Sequence, residues 1–462
     1  MKKLLTLDPT AIVSGLYTGV GKAATPLWDE GENIVFRDLG VRRIAGATPI
    51  MATPETSTIR AMLQGYSAGK QRQYIGTNTK LTLKERTAGV WAHTDLYTWP
   101  TASDYAQLET WGNWLVGTNN VDPPVVWKNV GSAAAILGIP FTRARILRRK
   151  SPYLLAFNTS NGEDKVEWCN TSNIEQWTPG AGGAGNNTLR DLESEIVAAE
   201  GLADNIGVYS TSSLAIGRYV GSPNWWGFKR AIKGIGAVSS KSVVEAGIFH
   251  YGMMQNGIFV TDGNSNKWID DPAMQKWVID TVNWDQAKYI WGFHDDYLRA
   301  VTWYFLNVDL QWQSISYHYD AKVFTKGNLQ ATAGAPRDSL AVPTIADLDA
   351  RVNFWQQGNT FRGVDVPFSL KTKPLDFGAR DFAKLLQLIK VDGEWDSEVR
   401  LRVGQTDNPE SIVDWFHDQP MVQHNYFPEE REAPYFVVEF YGSKAAYITG
   451  IEFYGIPGGV IL

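Results

Sequence analysis

Five basic residues fall within eight positions, Arg143, Arg145, Arg148, Arg149 and Lys150, with a smaller pair at Lys371 and Lys373. The chemistry that suits such a cluster is contact with phosphate oxygens, which holds nucleic acid without reading its sequence. On a strand, Arg143 and Arg145 share one face and Arg148 takes the other, so only part of the cluster can form one surface. The plain alternative is a solvated strand and loop. The five residues are kept as the DNA- or partner-facing candidates.

Other chemistry is poorly supplied. Gly19-Val-Gly21-Lys22-Ala23 lacks the glycine spacing of a P-loop and the Ser or Thr that would hold magnesium. Gly180-Ala-Gly-Gly-Ala-Gly185 follows no strand-to-helix unit, so it reads as a flexible loop rather than a phosphate cradle. The histidines, His93, His250, His294, His318, His417 and His424, share no ligand spacing. His294-Asp295-Asp296 and Asp262-Gly-Asn-Ser-Asn266 carry metal-binding residue types, but both sit where hairpins turn, and Asp and Asn serve turns equally well. No G-x-S-x-G is present, and Cys169 lies within a strand beside Trp168. The expectation is therefore no catalytic, cofactor-binding or metal residue and no cofactor. A pair of carboxylates for glycoside hydrolysis stays open, because sequence does not reveal their separation.

The elements that position these residues are strands. Hairpins recur along the chain, with an aromatic or β-branched run, a polar turn and a second run. They are Tyr74–Thr77 with Leu81–Leu83, Trp114–Thr118 with Val125–Trp127, Tyr153–Phe157 with Val166–Trp168, Ile206–Tyr209 with Leu214–Ile216, Phe249–Met254 with Ile258–Val260, and Tyr289–Phe293 with Leu298–Phe305. With the strand before each hairpin included, units begin near residues 60, 105, 143, 195, 243 and 287. A period of roughly 40–50 residues in an all-β chain is that of a four-stranded propeller blade. Blades bury their faces on one another, and Trp91, Trp127, Trp168, Trp226, Trp268 and Trp312 fall late in successive units, where packing between blades would place them. The fold class is all-β, a degenerate propeller of six or seven blades plus a C-terminal sandwich or jelly-roll-like domain. Ala383–Lys390 suits a short helix or a buried strand.

Three segments are expected. Residues 1–59 are less regular; Asn33–Phe36 and Arg42–Ile44 suit a hairpin closing the ring against Val352–Trp355. Residues 60–361 form the propeller, and 362–462 the sandwich. The net charge of −6 lies entirely in the last segment, which holds 10 basic and 16 acidic residues. That balance excludes a basic nucleic-acid coat. One cysteine excludes an intrachain disulfide framework and suits a reducing compartment. Met1-Lys2-Lys3-Leu4-Leu5 imitates a signal peptide, but Asp8-Pro9 interrupts it, and no run has the ~18 apolar residues of a membrane helix. No membrane partner is expected.

Asn33-Ile-Val-Phe36-Arg37-Asp38-Leu39-Gly40-Val-Arg42-Arg43-Ile-Ala-Gly46 resembles the opening of the tail hub or nozzle proteins of short-tailed phages (podoviruses), the packaged-DNA stabilisation family. Leu370-Lys-Thr-Lys-Pro374-Leu-Asp-Phe-Gly378, the apolar strand Lys384–Val391, and Thr449-Gly450-Ile451 before an aromatic strand are similar as well. Asp38-Leu39-Gly40 departs from the family's commoner Asp-Gly turn. The resemblance implies a non-enzymatic virion protein of the tail, assembled in the host cytoplasm. It implies a ring, usually a homohexamer, below the portal adaptor, which extends the DNA channel, retains the packaged genome and releases it at infection. Its implied partners are other copies of itself, the adaptor, a tail fibre or spike, and the genome in transient contact. The rival from another class is a carbohydrate- or receptor-binding propeller, with Trp225, Trp226, Trp111 and Trp114 as sugar platforms.

Overall fold

The computed structural model describes residues 2–7, 28–67, 69–136, 138–338, 340, 342–378, 382–427 and 431–460. Gly19–Ala23 lies outside the described residues. Five four-stranded antiparallel sheets follow one another along the chain, over residues 59–98 (blade I), 107–135 (II), 144–188 (III), 198–233 (IV) and 243–268 (V), and the four strands over 291–327 (VI) form one end of a nine-stranded sheet. A seventh sheet takes three strands from 331–355 and its fourth from Ala47–Pro49. The innermost strands adjoin in order, and that of blade VII, Ala331–Ala335, returns to that of blade I, Ile59–Ser67. The sheets therefore form a closed propeller.

The ring closes because each sheet has two apolar faces that must be covered. Every gap between neighbouring blades holds its own apolar cluster. Tyr74, Leu83, Leu115 and Trp127 fill the gap between I and II; Ile146, Phe157, Val208 and Trp226 fill that between III and IV. Among the six spaced tryptophans, Trp127, Trp168 and Trp226 are buried between blades, and Trp91 and Trp312 are partly buried there. Trp268 differs: it lies on the outer strand of blade V against Phe259 of the same blade.

All six expected hairpins are present. The hairpin at 34–43 also forms, but it does not close the ring. Val41 and Arg42 pair instead with Ile448 and Tyr447, and the strand that pairs with Val352–Trp355 is Ala47–Pro49. The reason is apolar content: Ile34, Phe36 and Val41 join the sandwich core.

That sandwich draws on both ends of the chain. One sheet orders Ile34–Arg37, Gly40–Arg43, Ala446–Val460, Phe382–Trp395 and His424–Tyr426, with Lys2–Leu7 paired to Ala446–Val460. The other orders Trp28–Glu32, Phe368–Thr372, Tyr435–Gly442, Arg400–Thr406 and Asp414–Pro420. Leu370, Leu401 and Phe436 of the second face Ile389, Ile451 and Phe453 of the first, and Trp28 meets Phe440 edge-on at 6.3 Å. Ala383–Lys390 lies within a strand.

The two units share a sheet. Trp28–Glu32 pairs antiparallel with Phe368–Thr372 and, through Glu32, parallel with Lys326 at the outer edge of blade VI. Buried Asn33 ends this strand with φ 52. Its amide donates to the Lys326 carbonyl at 2.9 Å, and its carboxamide donates to Asn328 and to the Pro367 carbonyl, both at 2.8 Å. The next turn is tight: Asp38 and Leu39 both hold positive φ, 53 and 60, between the paired Arg37 and Gly40. A Cβ on Gly40 would lie 2.3 Å from the Tyr447 ring, so a side chain does not fit there.

Leu39 is 64% exposed and gains little packing for its left-handed backbone. Leu39→Gly removes a strain of about 1 kcal/mol. We expect a higher urea midpoint for this variant with an unchanged slope.

Candidate functional site

The basic cluster forms the innermost strand of blade III, Ala144–Lys150, so it runs beside the propeller axis. There it is not a free strip. Arg143 donates to the Asn120 and Asn158 side-chain oxygens, each at 3.2 Å, and Arg145 to Glu195 at 3.1 Å. Arg148 donates through Nε to the Ala199 carbonyl at 2.6 Å and through Nη2 to Glu200. Lys150 donates to the Ala203 carbonyl, while Arg149 is exposed. Three of the arginines expected to face phosphate are thus paired with neighbouring loops and with blade IV. The strand pattern shows which residues alternate, but which partners a neighbouring blade brings is invisible in sequence.

Around Arg148 the axis carries a charged cluster. Glu109 of blade II, Glu200 of blade IV and Glu245 of blade V all feel its positive charge. Burial nevertheless lifts all three carboxyls above the usual range, Glu200 to about 7. Arg148 and Glu200 meet directly with side chains only 15% and 16% exposed, so burial opposes the attraction by which the guanidinium favours the charged carboxylate. Lys241, from the segment entering blade V, reaches to the Arg60 carbonyl on blade I. Met62, Leu108 and Trp291 line the same axial space. Side chains thus narrow the propeller axis to a cavity of about 140 Å³.

The remaining candidates are structural. Asp295 accepts from the Tyr297 and Leu298 amides at 3.0 Å, and Asp262 from those of Asn264 and Ser265 at 2.9 and 2.7 Å, so both are turn residues. Burial raises the Cys169 thiol to about 11, against thiolate chemistry. The glycine-rich segment is an ordered turn rather than a flexible loop. Gly183 accepts from the Trp168 indole at 2.8 Å, and a Cβ on it would lie 2.8 Å from the Tyr153 hydroxyl. Trp226 is core; Trp225 is half-buried. Trp111 and Trp114, both half-buried, flank one hairpin turn with ring centroids 5.4 Å apart.

No family model and no curated protein matches this chain. Among solved structures it is similar to PorZ, described as a bacterial surface component of the type-IX secretion system of Porphyromonas gingivalis. That likeness has a TM-score of 0.42 and 10% identity, covering 76% of this chain and 43% of that one. This chain therefore spans less than half the length of PorZ. It is similar to a chain of the mitotic checkpoint complex, with TM-score 0.43 and 11% identity over 67% of this chain and 95% of that one. It is similar to BamB from Moraxella catarrhalis, with TM-score 0.39 and 9% identity over 73% and 100%. The propeller is established by the strand order and the cores between blades.

Two predictions follow from these contacts. Arg148→Met strands a buried carboxylate and costs about 3 kcal/mol, the low end for a broken buried pair because both groups keep some water contact. Arg148→Met with Glu200→Met recovers most of that loss, and Arg149→Ala changes stability by less than ~0.5 kcal/mol. Urea unfolding of the three variants against the parent reads all of this. The second prediction concerns pH. Burial pushes His250 and His318 down to about 4 from an ordinary 6.5. Both are neutral when folded, so their contribution is full above pH 6.5 and is lost as pH falls toward 4. His318→Gln should therefore lose less stability than the parent between pH 7 and 4.5.

Proposed function

We propose that this chain is a wall subunit of a short-tailed phage tail hub or nozzle, a ring below the portal adaptor that extends the DNA channel and retains the genome until infection. The observation that carries this reading is where the segments of the resemblance meet. Asn33–Gly46, Leu370–Gly378, Lys384–Val391 and Thr449–Tyr454 are far apart in sequence yet belong to one sandwich. The hairpin at 34–43 pairs with the last strand, Ile389 pairs with Phe453, and Leu370 pairs with Gly31. A resemblance assembled from chance matches would scatter over the fold.

Two further features support it. Strands within a blade alternate in direction, so turns between first and second and between third and fourth strands share one face. That face exposes Tyr66, Val90, Tyr219, Val220, Ile248 and Tyr297. Exposed apolar groups spread over a broad face suit assembly with other large surfaces. Narrowed by Arg148, Glu200 and Lys241, the propeller axis leaves no path for DNA. In this reading the genome passes through the ring of subunits, along walls whose arginines are mostly paired.

A second reading, a carbohydrate-binding module, is favoured by the adjacent Trp111 and Trp114 rings at one hairpin tip. Native mass spectrometry with negative-stain imaging separates the two. Six copies of a 51.4 kDa chain make a ring of about 310 kDa with a central opening. That ring, alone or with the portal adaptor, is the expected result. A monomer under both conditions, with glycan-array binding lost in Trp114→Ala, would replace the hub with the sugar-binding module.

A further inference from the structure

Between blades VI and VII the propeller opens a cleft of about 550 Å³, on the face opposite the exposed apolar turns. Its walls are the turns that join second to third strands in both blades, the link Asn328–Gln330 between them, and a small hairpin, Thr360–Phe361 with Val364–Asp365. The turn of that hairpin departs from the usual chemistry. Both of its central residues hold positive φ, Arg362 at 55 and Gly363 at 79, where Asn-Gly is the ordinary choice. What explains the arginine is its side chain. Its Nε and Nη2 donate to the two Asp349 oxygens at 3.0 and 2.8 Å, and its Nη1 donates to Gln330 Oε1 at 2.9 Å. The strained turn thereby fixes three polar groups side by side along one wall of the cleft.

We propose that this cleft binds a neutral saccharide of one or two sugar rings. Charge selects against ions, because each charged side chain on the wall has its counter-ion: Arg362 meets Asp349, and Asp365 meets Lys444 at 2.8 Å. What remains is hydrogen-bonding capacity of both kinds. The carboxamides of Gln311 and Gln313 have no protein partner among the described residues, and neither has the Gln330 amide group as a donor. Asp349 gives Arg362 two of its roughly four lone-pair positions and keeps the others for hydroxyl donors. Neighbouring sugar hydroxyls donate and accept at once, which is the complement of carboxamides beside a neutralised carboxylate. Half-buried Trp312 and buried Phe361 add apolar surface for the C–H face of a ring. At about 30 Å³ per water the cleft has the volume of about eighteen waters, within the range of small-ligand pockets. The site uses neither Trp111 nor Trp114 nor the apolar face, so it stands whether or not the chain forms a ring.

The test is isothermal titration of the full chain with glucose, galactose, mannose and N-acetylglucosamine, and with the disaccharides maltose, lactose and chitobiose. At least one of them should bind saturably, at one site per chain. Arg362→Gly, which releases Asp349 and Gln330 from the wall, should weaken that binding roughly 10-fold, and Gln313→Ala roughly 5-fold. Glycine suits the left-handed turn, so the loss in Arg362→Gly is read on a folded chain. Trp114→Ala should leave the binding intact. No saturable binding of any of these sugars would overturn the proposal. So would binding left unchanged in either cleft variant, or abolished by Trp114→Ala. Oligomeric state plays no part in the readout, so failure here leaves the ring reading untouched.

Discussion

Trp28–Glu32 is a five-residue strand that two units need at once. The second sandwich sheet uses it as an edge partner for Phe368–Thr372, and the outer strand of blade VI reaches it through Glu32 and Asn33. Asn33 makes the junction specific. In a left-handed backbone that few residues other than glycine tolerate, its side chain bridges Asn328 after blade VI and Pro367 before the sandwich. Replacing it by an apolar residue would leave several buried polar groups without partners. Because this strand lies near the N-terminal end of the described chain, neither unit is completed by the residues around it in sequence. The propeller likewise needs Ala47–Pro49 to finish blade VII.

These two closures account for the shape of the functional proposal. A propeller closed by its own N-terminal segment is resistant to opening, since each of its seven gaps is packed by a separate apolar cluster. Its axis is narrowed by side chains from blades I to VI to a cavity of about 140 Å³. What remains available for partners is the outside: a face of exposed apolar hairpin tips and a sandwich of acidic composition. A rigid block with a narrow centre and sticky exterior is suited to being a wall element.

Much of this was legible in the residues. The marked starts at 60, 105, 143, 195, 243 and 287 lie within four residues of the observed innermost strands, because hairpin turns carry Asn, Asp and Gly for steric reasons. Blade VII was harder to see, since Ala331–Ala335 is Ala, Thr and Gly, with neither aromatic residues nor a branched run. The α-helix Pro272–Thr281 interrupts the hairpin pattern read from the sequence; Asp271 caps it at the Met274 amide, and Met274 and Val278 share its buried face. Ala144–Lys150 is a strand, as expected, while Arg143 lies just before it. The strand's partners Glu195 and Glu200 stand about fifty residues away, and only the ring brings them there.

The account's central claim is that propeller and sandwich form one mechanical unit through Trp28–Asn33. Native-state hydrogen exchange of the full chain tests it most directly, by comparing amides of Phe368–Thr372 in the sandwich with those of Trp312–His318 in blade VI. The account predicts that both strands exchange through the same opening, with equal free energies and equal dependence on urea. Exchange of the sandwich strand at distinctly lower free energy, while blade VI stays protected, would contradict it.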